Sequence, residues 1–309
     1  MDARTNPPMT PAPGKDSKAV TFVKRTASTL GLWALVTAAF VSRLDWAYVS
    51  LIGLLVMLAT VEYVRMLKDG GVRGFPGFLV VLSLAYSVGL YGFLLGDGVP
   101  VWFDGIAIFA AMAGAFALQL RRPIEGNGPI LAVALTLFGF VYIAFLFNFA
   151  ARLIFVVPGP GEVPGAMLVL WGIAVTKFTD MGAYIVGSAI GRHKMIPHIS
   201  PGKTWQGFGG AIAFALLAGC GLYALFRDDM PNFSTGLHVL GGWPMVVVLS
   251  IVLSLAAVVG DLAESVLKRS LSVKDSGHVL PGIGGALDLI DSLCFTLPLL
   301  YLYVTWVAG

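Results

Sequence analysis

The chain has 309 residues, of which 57% are hydrophobic and only 12% charged, with a formal net charge of +3. Soluble domains carry roughly 25% charged residues, so a water-soluble globule is excluded and a chain that crosses a bilayer repeatedly is expected. The small, scattered positive balance excludes a nucleic-acid footprint. The two cysteines, Cys220 and Cys294, sit in apolar runs and read as buried reduced thiols, not as a disulfide framework or a zinc site.

Residues 1–25 hold four prolines and few large apolar side chains, so they read as a disordered tail. Lys24 and Arg25 then precede an apolar run. No small-residue cleavage site follows it and further spans come after, so it is expected to be an uncleaved first span. Apolar segments of helical length lie at 28–44, 46–66, 75–96, 101–120, 129–149, 165–186, 207–226, 243–262 and 287–307. The expected fold is therefore an all-α polytopic integral membrane protein with about nine transmembrane helices. With the N-terminus placed in the cytoplasm, sixteen Lys and Arg fall on the inner side, and only Arg43, Arg152 and Arg227 fall outside. That bias supports both the count and the orientation. The chain divides into the tail (1–25), amino-terminal transmembrane helices (26–160) and a carboxy-terminal transmembrane region carrying the site (161–309). The polar loops 187–206 and 263–286 share the cytoplasmic face, whereas 227–242 reads as a solvated outer connector.

The first candidate constellation is 180–207, DMGAYIVGSAIGRHKMIPHISPGKTWQG. Asp180 lies at or near the end of a span, where an acid is costly unless paired or functional. Lys177, three residues earlier, offers the plain alternative of a helix-holding ion pair. Gly182, Gly187 and Gly191 suit either close helix packing or close approach of a ligand. Ser200, Lys203 and Thr204 put two hydroxyls and a cation on a flexible backbone. That set suits phosphate, although the Walker A spacing is missing and an interfacial turn is the plain alternative. His193, His198, His238 and His278 have no metal-ligand spacing.

The second constellation is 260–291. Asp261, Glu264 and Lys268 lie on one helical stripe, flanked by Ser265 and Arg269. Asp288 and Asp291 hold a matching position at the start of the last span, and Lys274 lies between the two acid pairs. Helix caps and interfacial salt bridges explain one acid at each helix end, but not four acids and three bases on two adjacent ends. Oxygen ligands favour a hard cation such as Mg²⁺, and cations beside them suit phosphate. Glu62, inside the second span, is open to either structural pairing or a place in the site. From the residues alone, the reading is metal-dependent chemistry on a phosphorylated substrate at the cytoplasmic membrane face.

Residues 265–291 resemble the signature of the phosphatidate cytidylyltransferases, or CDP-diacylglycerol synthases: S-x-x-K-R-x4-K-D, then L-P-x-H-G-G-x-x-D-R-x-D. Ser265, Lys268, Arg269, Lys274, Asp275, Leu280, Pro281, Gly284, Gly285, Asp288 and Asp291 match it. Asp180, Ala183, Tyr184, Gly187, Gly191, Ser200, Pro201, Lys203, Thr204 and Gly207 match that family's second run. Ile283 stands where the signature has His, and Leu289 where it has Arg. The resemblance implies a multi-pass protein of the inner or cytoplasmic cell membrane that converts CTP and phosphatidate to CDP-diacylglycerol and pyrophosphate. It implies that Asp261 and Asp288 hold Mg²⁺, with Asp291 and Glu264 as further partners and a second cation as an option. Lys268 and Arg269 would neutralise phosphate. Ser200, Lys203, Thr204, Ser265 and Lys274 would bind substrate, and Asp180 would organise the cavity. Membrane lipids are partners, nucleic acid is not, and the small-residue helix faces are compatible with a homodimer. The alternatives are a cytidylyltransferase for another lipid phosphate, a transporter or flippase using intramembrane acids, and a non-catalytic homologue.

Overall fold

A computed structural model of the chain describes residues 44–124, 126–156, 165–227, 237–273, 277 and 284–308, with positions 31, 34, 36, 38, 39 and 42 before them. Helix α1 spans Asp45–Asp69, α2 Pro76–Leu94 and α3 Trp102–Gln119. Helix α4, Gly128–Gly139, runs through a π-helical stretch at Phe140–Phe145 towards α5, Phe149–Val156. Helix α6 is Ala166–Ile190, α7 Trp205–Phe226, α8 Trp243–Ser270, α9 the short Ala286–Ile290, and α10 Leu293–Ala308. Eight helical stretches among the described residues are long and apolar enough to cross a membrane. They correspond to the second through ninth expected spans, while the first, 28–44, falls mostly outside the described residues. The protein is an all-α polytopic membrane protein. In hydrocarbon every backbone amide needs an internal partner, and a helix meets that demand within one segment.

Between helices in lipid there is little hydrophobic driving force, so small residues decide how closely they pack. Helices α6 and α7 meet along a glycine seam. A Cβ at Gly207 would stand 2.7 Å from the Ala183 carbonyl oxygen, and one at Gly210 would stand 2.6 Å from that of Gly182. Gly182 and Gly187 face this seam, so the structure gives these glycines a packing role. Trp171 closes the other end of the seam by donating its indole N–H to the Gly219 carbonyl at 3.0 Å.

Three details differ from expectation. Segment 194–204 forms an antiparallel hairpin, β1 (Lys194–Ile196) with β2 (Ser200–Thr204), instead of an irregular turn. Its base is closed by Gln206, whose Oε1 accepts the backbone N–H groups of Arg192 and His193. As the 261–268 stripe requires, helix α8 continues two turns past the end of its apolar run at 262, where the Glu264–Lys268 i, i+4 pair supports helical backbone. Arg152 lies in α5, not in an outer loop. It is 6% exposed and pairs with Asp104 of α3 at 2.6 Å. In the connector expected to lie outside, Leu237–Leu240 form a 3-10 turn with both leucines fully buried. Residues 228–236 of that connector lie outside the described residues.

Candidate active site

The carboxy-terminal half of α8 supplies one wall of the site. Asp261, Glu264, Ser265, Lys268 and Arg269 project from its last turns. Gly260 sets their position. A Cβ there would stand 2.8 Å from Ser292 Cα and 2.9 Å from the Asp291 carbonyl oxygen. The absence of a side chain thus lets α8 lie directly on the junction between α9 and α10. These are backbone contacts and cannot swing aside, so Gly260→Val is expected to lower thermal stability in detergent by about 1–3 kcal/mol. It also moves Asp261 away from Asp291. Unchanged melting and wild-type turnover in that variant would show that the close approach has no such role.

Helix α9 supplies the facing wall. Gly284 holds φ +119, a left-handed conformation natural only to glycine. The chain then turns so that the Gly285 N–H donates to Asp288 Oδ2 at 2.7 Å, capping α9. The other oxygen, Oδ1, meets Lys268 Nζ at 2.8 Å. Lys268 also reaches Glu264 Oε2 at 2.6 Å, so one ammonium joins a carboxylate on each helix. Glu264 is 2% exposed and Asp291 5% exposed. Asp291 accepts the Ser292 N–H, which closes the bend between α9 and α10.

The hairpin adds a third wall. Lys203 Nζ stands 2.8 Å from Asp261 Oδ2, and Arg269 Nε donates to the Ile199 carbonyl at 3.4 Å. Thr204 is buried, and its hydroxyl oxygen accepts the Gly207 N–H at 3.1 Å as the cap of α7. Ser200, Lys203, Thr204, Asp180 and Asp261 line one cavity of about 510 Å³, together with Tyr184 and Lys194. Asp180 and Asp291 lie within electrostatic reach of each other, of Asp261 and of Lys177. The two polar loops therefore meet. Ser265 is half-buried on the α8 stripe. Lys274 lies outside the described residues, as does Ile283.

Three residues position this site without belonging to the expected set. Lys177 does pair with Asp180, but loosely, at 3.8 Å. Its closer partner is the Leu289 carbonyl at 2.9 Å, so it fastens α6 to α9. Leu289, where the signature has Arg, packs its side chain on the apolar core. Glu62 of α1 is fully buried, and its Oε2 accepts the Leu287 N–H at 2.9 Å. Gly277 also lies against that carboxylate. Gly260 is the third. The only signal for Glu62 in the sequence was an acid inside an apolar run, and its partner is a backbone group on a distant element.

Among the described residues no three His, Cys, Asp or Glu side chains converge as a ready-made cation cage. Mg²⁺ is usually bound through one or two carboxylates plus substrate phosphates, and such binding needs no cage. The donors here are all oxygen, and Glu264 Oε1 is buried without a hydrogen-bond partner among the described residues. A buried carboxyl oxygen with no partner is a ligand a cation could take, so the residues fit the group.

The comparisons with known proteins agree with this architecture. The chain belongs to the cytidylyltransferase family, whose profile matches residues 23–307. It is thus a membrane-embedded nucleotidyltransferase. Among individual proteins, it is 29% identical over 300 residues to the phosphatidate cytidylyltransferase of Mycobacterium bovis, covering 91% of this chain and 85% of that protein. It is 33% identical over 226 residues to the phosphatidate cytidylyltransferase of Staphylococcus aureus, covering 72% of this chain and 79% of the relative. An Escherichia coli protein, YnbB, whose name states no activity, is 28% identical over 263 residues.

Proposed function

We propose that this chain transfers the cytidylyl group of CTP to phosphatidate at the cytoplasmic face of the cell membrane, forming CDP-diacylglycerol and pyrophosphate for phospholipid synthesis. The observation that carries the reading is the meeting of Lys203 with Asp261 in a cavity of about 510 Å³, on the same helix α8 that two turns further on joins Lys268 to Glu264 and Asp288. Basic groups for two phosphorylated substrates and acids for a cation thus stand at the end of one apolar helix.

An oxygen of the phosphatidate phosphate forms a bond to the α-phosphorus of CTP. The bond from that phosphorus to the β-phosphate oxygen breaks, and pyrophosphate leaves with the electron pair. A phosphate monoester is already largely ionised near neutral pH, so no side chain need remove a proton. The work left to the protein is alignment and neutralisation of charge. Lys268 and Arg269 balance the triphosphate and the lipid phosphate. Ser200, Lys203 and Thr204 donate to phosphate from the hairpin side, with Ser265 and Lys274 completing the contacts. Asp180 orders the cavity beside Lys177. Asp261 and Asp288, supported by Asp291 and Glu264, would hold Mg²⁺, which when bound offsets phosphate charge and steadies the leaving group.

The test is purified protein in detergent with labelled CTP, phosphatidate and Mg²⁺. A lipid-soluble cytidine product and an equal amount of pyrophosphate are expected. Parallel reactions with other lipid phosphates set the acceptor. No product with any lipid phosphate, across several divalent ions, overturns the enzyme assignment for this chain.

A further inference from the structure

A second cavity, of about 690 Å³, opens between the carboxyl end of α1 and the amino ends of α2 and α4. It shares no residue with the cavity described above. We propose that it binds the phosphate group of an anionic membrane lipid, held by Lys68, Arg73 and Arg122. This goes beyond the catalytic reading and does not depend on it.

Charge is the first argument. Three cations line the cavity, and none of the described lining residues is acidic. Arg122 is held in place there. Its guanidinium lies 4.3 Å from the centre of the Phe75 ring and donates to the Gly74 carbonyl at 3.2 Å. A cation already held by packing loses little freedom when it takes an anion. Helices α2 and α4 both begin at this cavity with proline in the first turn, so their positive dipole ends add to the field.

The apolar surroundings decide between a lipid and a free anion. Phe75, Leu79 and Ala132, all buried, line the cavity. Leu120, Ile124 and Ile130 neighbour its lining in sequence and are 87%, 87% and 59% exposed. A soluble phosphate gains nothing from those side chains, whereas acyl chains would cover them. Basic pockets between membrane helices at a bilayer surface are suited to anionic headgroups. The cavity opens at the same end of the bundle as the site. Glu62, two turns before the end of α1, holds Leu287, and a Cβ at Gly70 would stand 3.0 Å from Leu271, just past α8.

The experiment measures lipid retained by the full chain after purification from vesicles of phosphatidylcholine mixed with phosphatidylglycerol. Wild type is expected to keep phosphatidylglycerol in preference to phosphatidylcholine. Lys68→Gln/Arg73→Gln leaves the Arg122–Phe75 contact intact and is expected to lower that preference about tenfold or more. Lys68→Arg/Arg73→Lys keeps charge and fold and should retain it. Arg65→Gln/Arg121→Gln removes exposed charges nearby that do not line the cavity, and should change little. The proposal is overturned if the pocket variant keeps the wild-type preference, or if the Arg65/Arg121 pair costs as much. It is equally overturned if inorganic phosphate alone binds as tightly as the lipid.

Discussion

Asp288→Asn is expected to abolish formation of the lipid-soluble cytidine product, by at least about a hundredfold, while leaving the protein folded. The two oxygens of Asp288 have separate tasks. One caps α9 through the Gly285 N–H, and the other meets Lys268. Asparagine has a single carbonyl oxygen and no charge. If that oxygen keeps the cap, an amide N–H₂ is left facing the Lys268 ammonium, and the carboxylate offered to a cation is gone. The capped backbone survives, so thermal unfolding in detergent should stay close to wild type. Wild-type turnover in this variant would remove Asp288 from the chemistry. A collapse of stability would instead assign it to the scaffold.

Lys268→Met is expected to be the most destabilising single change in the site, at about 3–5 kcal/mol. Glu264 is 2% exposed and faces the Lys268 ammonium at 2.6 Å. Without that ammonium the buried Glu264 carboxyl must stay charged alone or take up a proton and lose its charged partner. The double variant Glu264→Gln/Lys268→Met removes both charges and should recover most of the lost stability, because a neutral pair of similar volume carries no such penalty. It should not recover turnover, since the cation facing the phosphates is still missing. Chemical denaturation of all three proteins gives the coupling directly. Equal stabilities for the single and double variants would show that the pair is not the source of the loss.

The spans could be read from the sequence because hydrocarbon imposes a long apolar run on each of them, and such a run is a local property. The clustering of acids at 261–264 and 288–291 was equally legible, since each pair stands at the edge of such a run. What escaped the sequence depends on contacts between distant elements. The hairpin pairs Lys194 with Thr204 through backbone groups, and its residues are too polar to show alternation. Gly260 has its role only once the α9–α10 bend is laid against it, and Arg152 looked like a loop residue until Asp104 of α3 was beside it. Lys177 was legible as a partner of Asp180, yet its shorter bond goes to the backbone of α9.

The bond from Glu62 to Leu287 joins residues 225 positions apart. It makes the site a late product of synthesis, since the segment bearing Asp288 leaves the ribosome long after α1 has inserted. A fragment beginning at α6 would carry every signature residue and still lack the acceptor that seats α9. The amino-terminal helices are therefore part of the working unit, and removing them should leave a chain that inserts in the membrane but does not assemble its own site.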